Sequence, residues 1–344
     1  MSPLTTSIIL SSLATGTIIT ASSYHWLMAW VGLEINTLAI IPLISKNHHP
    51  RSTEAATKYF LTQAAASALI LFSSTMNAQQ TGTWDITQLT TTQSNILLFM
   101  ALAMKLGLAP AHFWLPEVLQ GSTMHTALII STWQKLAPMA LLYMTTNKLP
   151  PSMLLTMGAL SACIGGWGGI NQTQTRKIMA FSSIAHIGWI TTASFMLTNL
   201  MVLNLIIYIT MTTTMFSTLI LSNSKTIKDT TTLPTTSPAL TTIMALTLLS
   251  LGGLPPLSGF MPKWLIMEEL INQSLIPAAS LMAMSALLSL FFYLRLTYTT
   301  TMTLSPNQTT AMHKWRFPNQ NMNVLISTTT PLTLLLLPMT PLLM

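Results

Sequence analysis

The stretch Asn95–Pro138, NILLFMALAMKLGLAPAHFWLPEVLQGSTMHTALIISTWQKLAP, decides how the chain is read. It is apolar enough to lie in a bilayer, yet it carries Lys105, His112, Glu117 and Lys135. Gly107 and Pro110 interrupt it between the two lysines. A lysine at the centre of a membrane helix costs roughly 2.5–3.5 kcal/mol on insertion scales, so two in one hairpin require a reason.

The rest of the chain is of the same kind. Of 344 residues, 50% are hydrophobic and only 6% are charged. A soluble domain carries about a quarter charged residues, so the composition excludes a soluble globule. A membrane span needs about 20 mostly apolar residues, and such segments tile almost the whole length. The single cysteine, Cys163, excludes an intrachain disulfide and any cysteine-based cluster. No Gly-rich phosphate loop or His/Cys ligand spacing points to a nucleotide or a metal. The net charge of +7 reads as topology rather than nucleic-acid binding, because the basic residues lie in short loops between helices. The first twenty residues have neither a positive n-region nor an Arg-rich amphipathic stretch, so the first helix is expected to be retained.

Apolar runs and their polar or Pro/Gly breaks predict an all-α polytopic membrane protein with about eleven spanning helices. The predicted spans are 3–21, 24–45, 55–76, 95–120, 124–146, 150–171, 177–197, 200–222, 238–269, 276–299 and 323–343, with loops over 77–94 and 300–322. The fourth and ninth are predicted to be broken internally. LGLAP at Leu106–Pro110 and LGGLP at Leu251–Pro255 mark those two breaks, 145 residues apart. About five helices fit that offset, and an odd number inverts the second unit relative to the first, as in many transporters. The expected layout is one integral membrane domain: a first repeat over 1–146, an inverted second over 150–299, and a C-terminal helix over 323–343.

Ten of the 14 Lys and Arg fall on one face: Lys46, Arg51, Lys58, Arg176, Lys177, Lys225, Lys228, Arg295, Lys314 and Arg316. Lys148 alone falls on the other, and Lys105, Lys135 and Lys263 fall inside the membrane. The positive-inside rule then places the N-terminus on the basic side and the C-terminus opposite.

Glu34 is the only acid at mid-depth and the natural partner of Lys105. Lys135 lies one helical turn before Pro138, where freed backbone carbonyls can solvate an ammonium. Lys263 follows the second break, in the half nearer the low-charge face, and is expected close to Glu268 and Glu269. Desolvation weakens a buried lysine's hold on its proton and a nearby carboxylate strengthens it, so such a group can be tuned to exchange protons. The other reading is an ion pair that holds helices together. His112 and His186 titrate near neutrality and can bridge lysines in a relay, or can be neutral imidazoles bonded to backbone carbonyls. Glu117 reads as a surface acid at the basic face. Gly165, Gly166, Gly168 and Gly169 read as close helix packing, and the many threonines as bonded to their own helix backbone. Physical reasoning alone reaches a proton or cation transporter. Its rivals are a stand-alone cation/proton antiporter and a structural membrane subunit that does not pump.

KLGLAPAHFWLPEV (105–118), NQTQTRKIMAFSSIAHIGW (171–189), LSLGGLPPLSGFMPKW (249–264) and WVGLE (30–34) closely resemble the antiporter-like membrane subunits of respiratory NADH dehydrogenase. PRSTEAATKYFLTQAAASA (50–68) and the short length narrow this to one mitochondrial subunit. The resemblance covers nearly all the chain and weakens in 77–94 and 300–344. It implies an inverted pair of five-helix units, with key lysines on the broken helices. It maps a Glu–Lys pair onto Glu34 and Lys105, a central lysine onto Lys135, an exit lysine onto Lys263, and bridging histidines onto His112 and His186. It also implies one proton pathway within complex I, which couples electron transfer from NADH to ubiquinone with proton pumping. The FMN, the iron–sulfur clusters and the ubiquinone are expected on other subunits, with no cofactor on this chain. Implied partners are the other membrane-arm subunits and lipids such as cardiolipin, with no nucleic acid. The implied location is the mitochondrial inner membrane, with the N-terminus in the matrix and the C-terminus in the intermembrane space.

The chain departs from many relatives in two ways. Many have three extra N-terminal helices, whereas this sequence begins with the helix before the Glu34 helix, as animal versions do. It also has Glu117 and Val118 where many have an Asp and a His, so a proton uptake route through that histidine does not carry over. A membrane-impermeant amine label applied from the basic face should modify Lys46 and Lys225 and spare Lys148; the reverse pattern would overturn the orientation.

Overall fold

Helix ends in this chain are set by local chemistry. In the computed structural model, which describes residues 2–303 and 324–339, α1 (Pro3–Ser22) starts with Pro3 in its first turn and a Ser2 side-chain cap. His25 Nδ1 accepts from the Leu27 N–H to start α2 (Trp26–Ile44). A His49/Ser52 capping box starts α3 (Pro50–Thr81), and left-handed Gly82 ends it. There follow α4 (Thr92–Leu106), α5 (Trp114–Gly121), α6 (Met124–Ser131), α7 (Leu136–Thr145), α8 (Pro151–Gly169), α9 (Thr175–Met196) and α10 (Thr198–Ser222). Then come the short α11 (Ile227–Thr230) and α12 (Leu233–Thr236), α13 (Pro238–Gly252), α14 (Phe260–Asn272), α15 (Ile276–Thr301) and α16 (Val324–Leu335). Among the described residues there is no β-strand, only the isolated bridges His25–Asp85 and Gln174–Thr226.

Among the described residues six helices, α1, α2, α3, α9, α10 and α15, are individually long and apolar enough to cross a membrane. Others are shorter pieces: α4 and α13 have 15 residues each, about 22 Å at 1.5 Å per residue, short of a ~30 Å hydrocarbon core. The two predicted breaks are present. A third is not foreseen by the sequence reading, which has one helix over 124–146. It is divided at Thr132 (φ −111°, ψ −69°) by a 3₁₀ turn, Trp133–Lys135. Helix α3 also runs on to Thr81, shortening the predicted 77–94 loop, which docks on the α1–α2 turn through Trp26 N–H to Trp84 O and Ile86 N–H to Tyr24 O. Of the predicted C-terminal helix, α16 is followed by a 3₁₀ turn at Leu337–Met339; 323 and 340–343, with Lys314 and Arg316, lie outside the described residues.

The chain divides into two compact units, Met1–Ser161 and Ala162–Met344, with the division inside α8. Apolar helices in lipid gain no hydrophobic driving force from one another, so association relies on close packing. In the first unit Gly16 on α1 and Gly32 on α2 meet so closely that a Cβ on either would lie within 2.9 Å of the other's carbonyl oxygen. In the second unit Gly165 lies against Ala185 and Gly168 against the Phe181 ring. Helix α9 is buried over nearly its whole length, and threonines such as Thr191 bond to their own helix carbonyls.

The two predicted breaks share one construction. The Gly107 N–H bonds to the carbonyls of Ala103 and Met104, and Leu108 N–H to Ala103, with Gly107 at φ +76°. Gly253, at φ +78°, bonds to Leu249 and Ser250, and Leu254 to Leu249. Both are left-handed glycine caps that close the final turn. Each is followed by a cis X-Pro bond, at Pro110 and Pro256, and the chain re-enters a helix at Trp114 and at Phe260. All these correspondences lie 146 residues apart, one more than the LGLAP/LGGLP offset, so Gly107 matches Gly253 and not Gly252.

Two predictions follow from these end structures. Asp229 starts α11: its Oδ2 accepts from the N–H groups of Thr226 (2.8 Å) and Lys225 (2.9 Å). Partial desolvation works against its charge, but these donors outweigh it and hold the carboxyl below its ordinary value of 3.8. Such a group stabilises the fold above its unfolded value, and that stability disappears as pH falls through the folded value. Hydrogen-exchange protection at the Thr226 amide should therefore drop below about pH 4, and Asp229→Asn should abolish the pH dependence. Second, Gly253→Ala and Gly82→Ala should each destabilise by about 1–2 kcal/mol, since both glycines are left-handed. Only the Gly253 variant should also displace a lysine. A Cβ there would come within 2.8 Å of Lys263 Cδ and 2.9 Å of its Nζ, whereas Gly82 faces open space. Thermal unfolding and a structure of each variant test both statements.

Candidate functional site

Within the first unit, α2, α3, α4, the Trp133–Lys135 turn and α7 enclose a cavity bordered by both lysines of the opening stretch. Lys105, in the last turn of α4, is 6% exposed, and Lys135 is 4% exposed. Asn36, Thr37, Tyr59, Gln63 and Gln134 supply the polar part of the wall, and Leu33, Trp114, Ile130, Ala137 and Pro138 the apolar part. The space open to the centre of a water molecule is about 10 Å³, close to the minimum for one water.

The Lys105 ammonium is fully buried and makes no hydrogen bond to the protein. The expected direct Glu34–Lys105 pair is not formed. Among the described residues the ion pairs within 4.0 Å are those of Lys58. Glu34 is half-buried, and its Oε2 accepts from Thr37 Oγ1 at 3.0 Å. Thr37 lines the cavity, and the Glu34 charge acts through space on Lys105 and on Tyr59. The carboxylate is thus an indirect neighbour, because it sits beside its own helix's threonine instead of at the cavity.

Gln134 joins three elements. Its Nε2 donates to the Asn36 carbonyl (3.2 Å) and its Oε1 accepts from Tyr59 Oη (3.4 Å). The broken end of α4 is closed by Trp114, whose Nε1 donates to the Met104 carbonyl at 3.1 Å. His112 is buried but does not border the cavity; its Nδ1 lies 3.2 Å from the Pro110 carbonyl oxygen, the plainer of its two readings. Glu117 is a surface acid, as expected, and it pairs with Lys58 at 2.6 Å; Lys58 also holds Glu54 at 2.5 Å.

In the second unit Lys263 lies over the end of α13. Its Nζ donates to the carbonyls of Gly252 (2.8 Å) and Leu251 (3.4 Å). The glycine cap uses Leu249 and Ser250, and these are the next two carbonyls, which the helix leaves without partners. An ammonium there also meets the negative end of the α13 dipole. The expected closeness of Lys263 to Glu268 and Glu269 does not produce an ion pair: the lysine turns back to α13, and the two acids lie further along α14. His186 is 5% exposed, with Tyr293 Oη 3.4 Å from its Nε2 and the Tyr208 ring 5.6 Å away. Ser182 and Ser183 of α9 bond to their own helix carbonyls, Met179 and Ala180. Among the described residues no cluster of three His, Cys, Asp or Glu could hold a metal ion.

Sequence reading therefore found the charged members and missed the neutral ones, Asn36, Thr37, Tyr59, Gln63 and Gln134. A signal existed. Tyr59 and Gln63 are one helical turn apart in α3, in line with its buried Ala66, Ser67 and Ile70. Gln134 adjoins a lysine in an otherwise apolar run.

A profile of the NADH:quinone oxidoreductase/Mrp antiporter transmembrane family matches residues 23–289, and one of the NADH dehydrogenase subunit 2 C-terminus matches 290–344. The NADH-ubiquinone oxidoreductase chain 2 of Varanus melinus is 54% identical over 341 residues, 99% of each chain. Among solved structures, a chain of respiratory complex I from Thermus thermophilus is similar with a TM-score of 0.87 and 26% identity, covering 100% of this chain and 80% of that one. A chain of the Mrp complex from a Dietzia species shares the fold, with a TM-score of 0.84 at 16% identity, covering 97% of this chain and 75% of that one. The chain belongs to the NADH:quinone oxidoreductase/Mrp antiporter transmembrane family, among its NADH-ubiquinone oxidoreductase chain 2 members.

Proposed function

We propose that this chain is a proton-translocating membrane subunit of NADH:ubiquinone oxidoreductase. One observation carries the reading: Lys105 and Lys135, each almost wholly buried, border one small cavity. Two ammonium groups at one water-sized space repel strongly where the dielectric is low, so a proton arriving at one drives the other out. Glu34 biases that exchange through space, and Lys263, held on the carbonyls of Leu251 and Gly252, releases protons toward the low-charge face. His186, between two tyrosines, is the candidate relay in the second unit, whereas His112 borders the pathway without joining it.

The finer layout belongs to the same reading. The short helices complete about eleven spans, and the 146-residue correspondence of the two breaks supports two inverted repeats with a C-terminal helix. The chain lies in the mitochondrial inner membrane, with its N-terminus in the matrix and its C-terminus in the intermembrane space. Its partners are the other membrane-arm subunits and lipids such as cardiolipin. The FMN, the iron–sulfur clusters and the ubiquinone are held elsewhere in the complex, and this chain uses their redox energy without touching them.

Replacing Lys135 by Met, with the complex assembled, should lower proton pumping in reconstituted vesicles by about tenfold or more, the loss typical of removing a positioned proton-transfer group. Unchanged pumping would overturn the reading.

A further inference from the structure

The turn that carries Lys135 is a single 3₁₀ turn, closed by Lys135 N–H to Thr132 O (3.4 Å) and Leu136 N–H to Trp133 O. A three-residue 3₁₀ segment in a helix is a weak spot of the kind associated with hinges. What reaches across from other helices is the side chain next to the lysine. Gln134 Nε2 donates to the Asn36 carbonyl on α2, and Gln134 Oε1 accepts from Tyr59 Oη on α3, partners 98 and 75 residues away. Tyr59 is 1% exposed, so its hydroxyl depends on a partner inside the protein. All three residues border the cavity of Lys105 and Lys135.

We propose that Gln134 is a positioning residue for Lys135: its amide, strapped to Asn36 and Tyr59, fixes the turn so that the lysine faces the cavity it shares with Lys105. The inference rests on the function proposed above and deepens it. Gln134 carries no proton itself. An amide offers one donor side and one acceptor side, and here each is used by a different helix. The strap therefore sets the depth and direction of the turn relative to α2 and α3, and with them the separation of the two ammonium groups. That separation is what a water-sized gap must match. The Lys105 ammonium, which makes no hydrogen bond to the protein, can then reach its neighbour through a single water bordered by the same amide.

The test compares Gln134→Met, Tyr59→Phe and Lys135→Met in the assembled complex, by native-gel yield and by proton pumping relative to electron transfer in vesicles. Gln134→Met keeps the volume and removes both bonds, so yield should stay near wild type while pumping falls. Each lost hydrogen bond corresponds to about two- to tenfold, so Tyr59→Phe, which removes one, should lower pumping less. The pH profile of coupled turnover should shift in Gln134→Met, because a misplaced lysine exchanges its proton under different surroundings. A packing role alone would leave that profile unmoved. If Lys135→Met lowers pumping and Gln134→Met lowers only yield or nothing, this inference is wrong and the proposed function stands. If neither variant lowers pumping, both fail.

Discussion

A charge or an unpaired carbonyl inside apolar protein is expensive, and this chain meets that cost by placing its lysines at helix breaks. A continuous helix in lipid satisfies its own backbone and offers a buried ammonium nothing. A broken one releases carbonyls and leaves room for polar side chains. Lys105 occupies the last turn before the Gly107 cap, Lys135 the turn between α6 and α7, and Lys263 folds back on the two carbonyls that α13 leaves over. Each of these three lysines thus lies at an interruption.

The two glycine-capped breaks share a backbone and differ in their charges. In the 146-residue register, Lys105 corresponds to Leu251 and Lys263 to Glu117. At the second break an ammonium on the following helix takes the leftover carbonyls. At the first, the corresponding position holds an acid that cannot donate to them and turns outward to Lys58. The same backbone construction therefore has its lysine before the break at Gly107 and after the break at Gly253.

Much of this was legible in the residues. The apolar segments, the two glycine–proline breaks, the three lysines set in apolar sequence and the surface position of Glu117 follow from composition and local pattern. The third break was not, because Thr132–Lys135 contains no glycine or proline, and Pro138 alone reads as a tolerated helix residue. A direct Glu34–Lys105 ion pair is not formed. Glu34 was the one acid at mid-depth, but Thr37, one turn along the same helix, takes its carboxylate first.

By itself the sequence determined the two glycine-capped breaks and most helix starts, since caps, left-handed glycines and prolines act within about five residues. It also determined which helices carry charge. Only the tertiary structure decided what those charges meet. The Gln134 amide joins residues 75 and 98 positions away, and Lys263 finds carbonyls eleven and twelve residues back across a turn. Such partners depend on how helices pack and at what depth their breaks align. Small residues such as Gly16 and Gly32 set that packing, and spacing along the chain does not encode it.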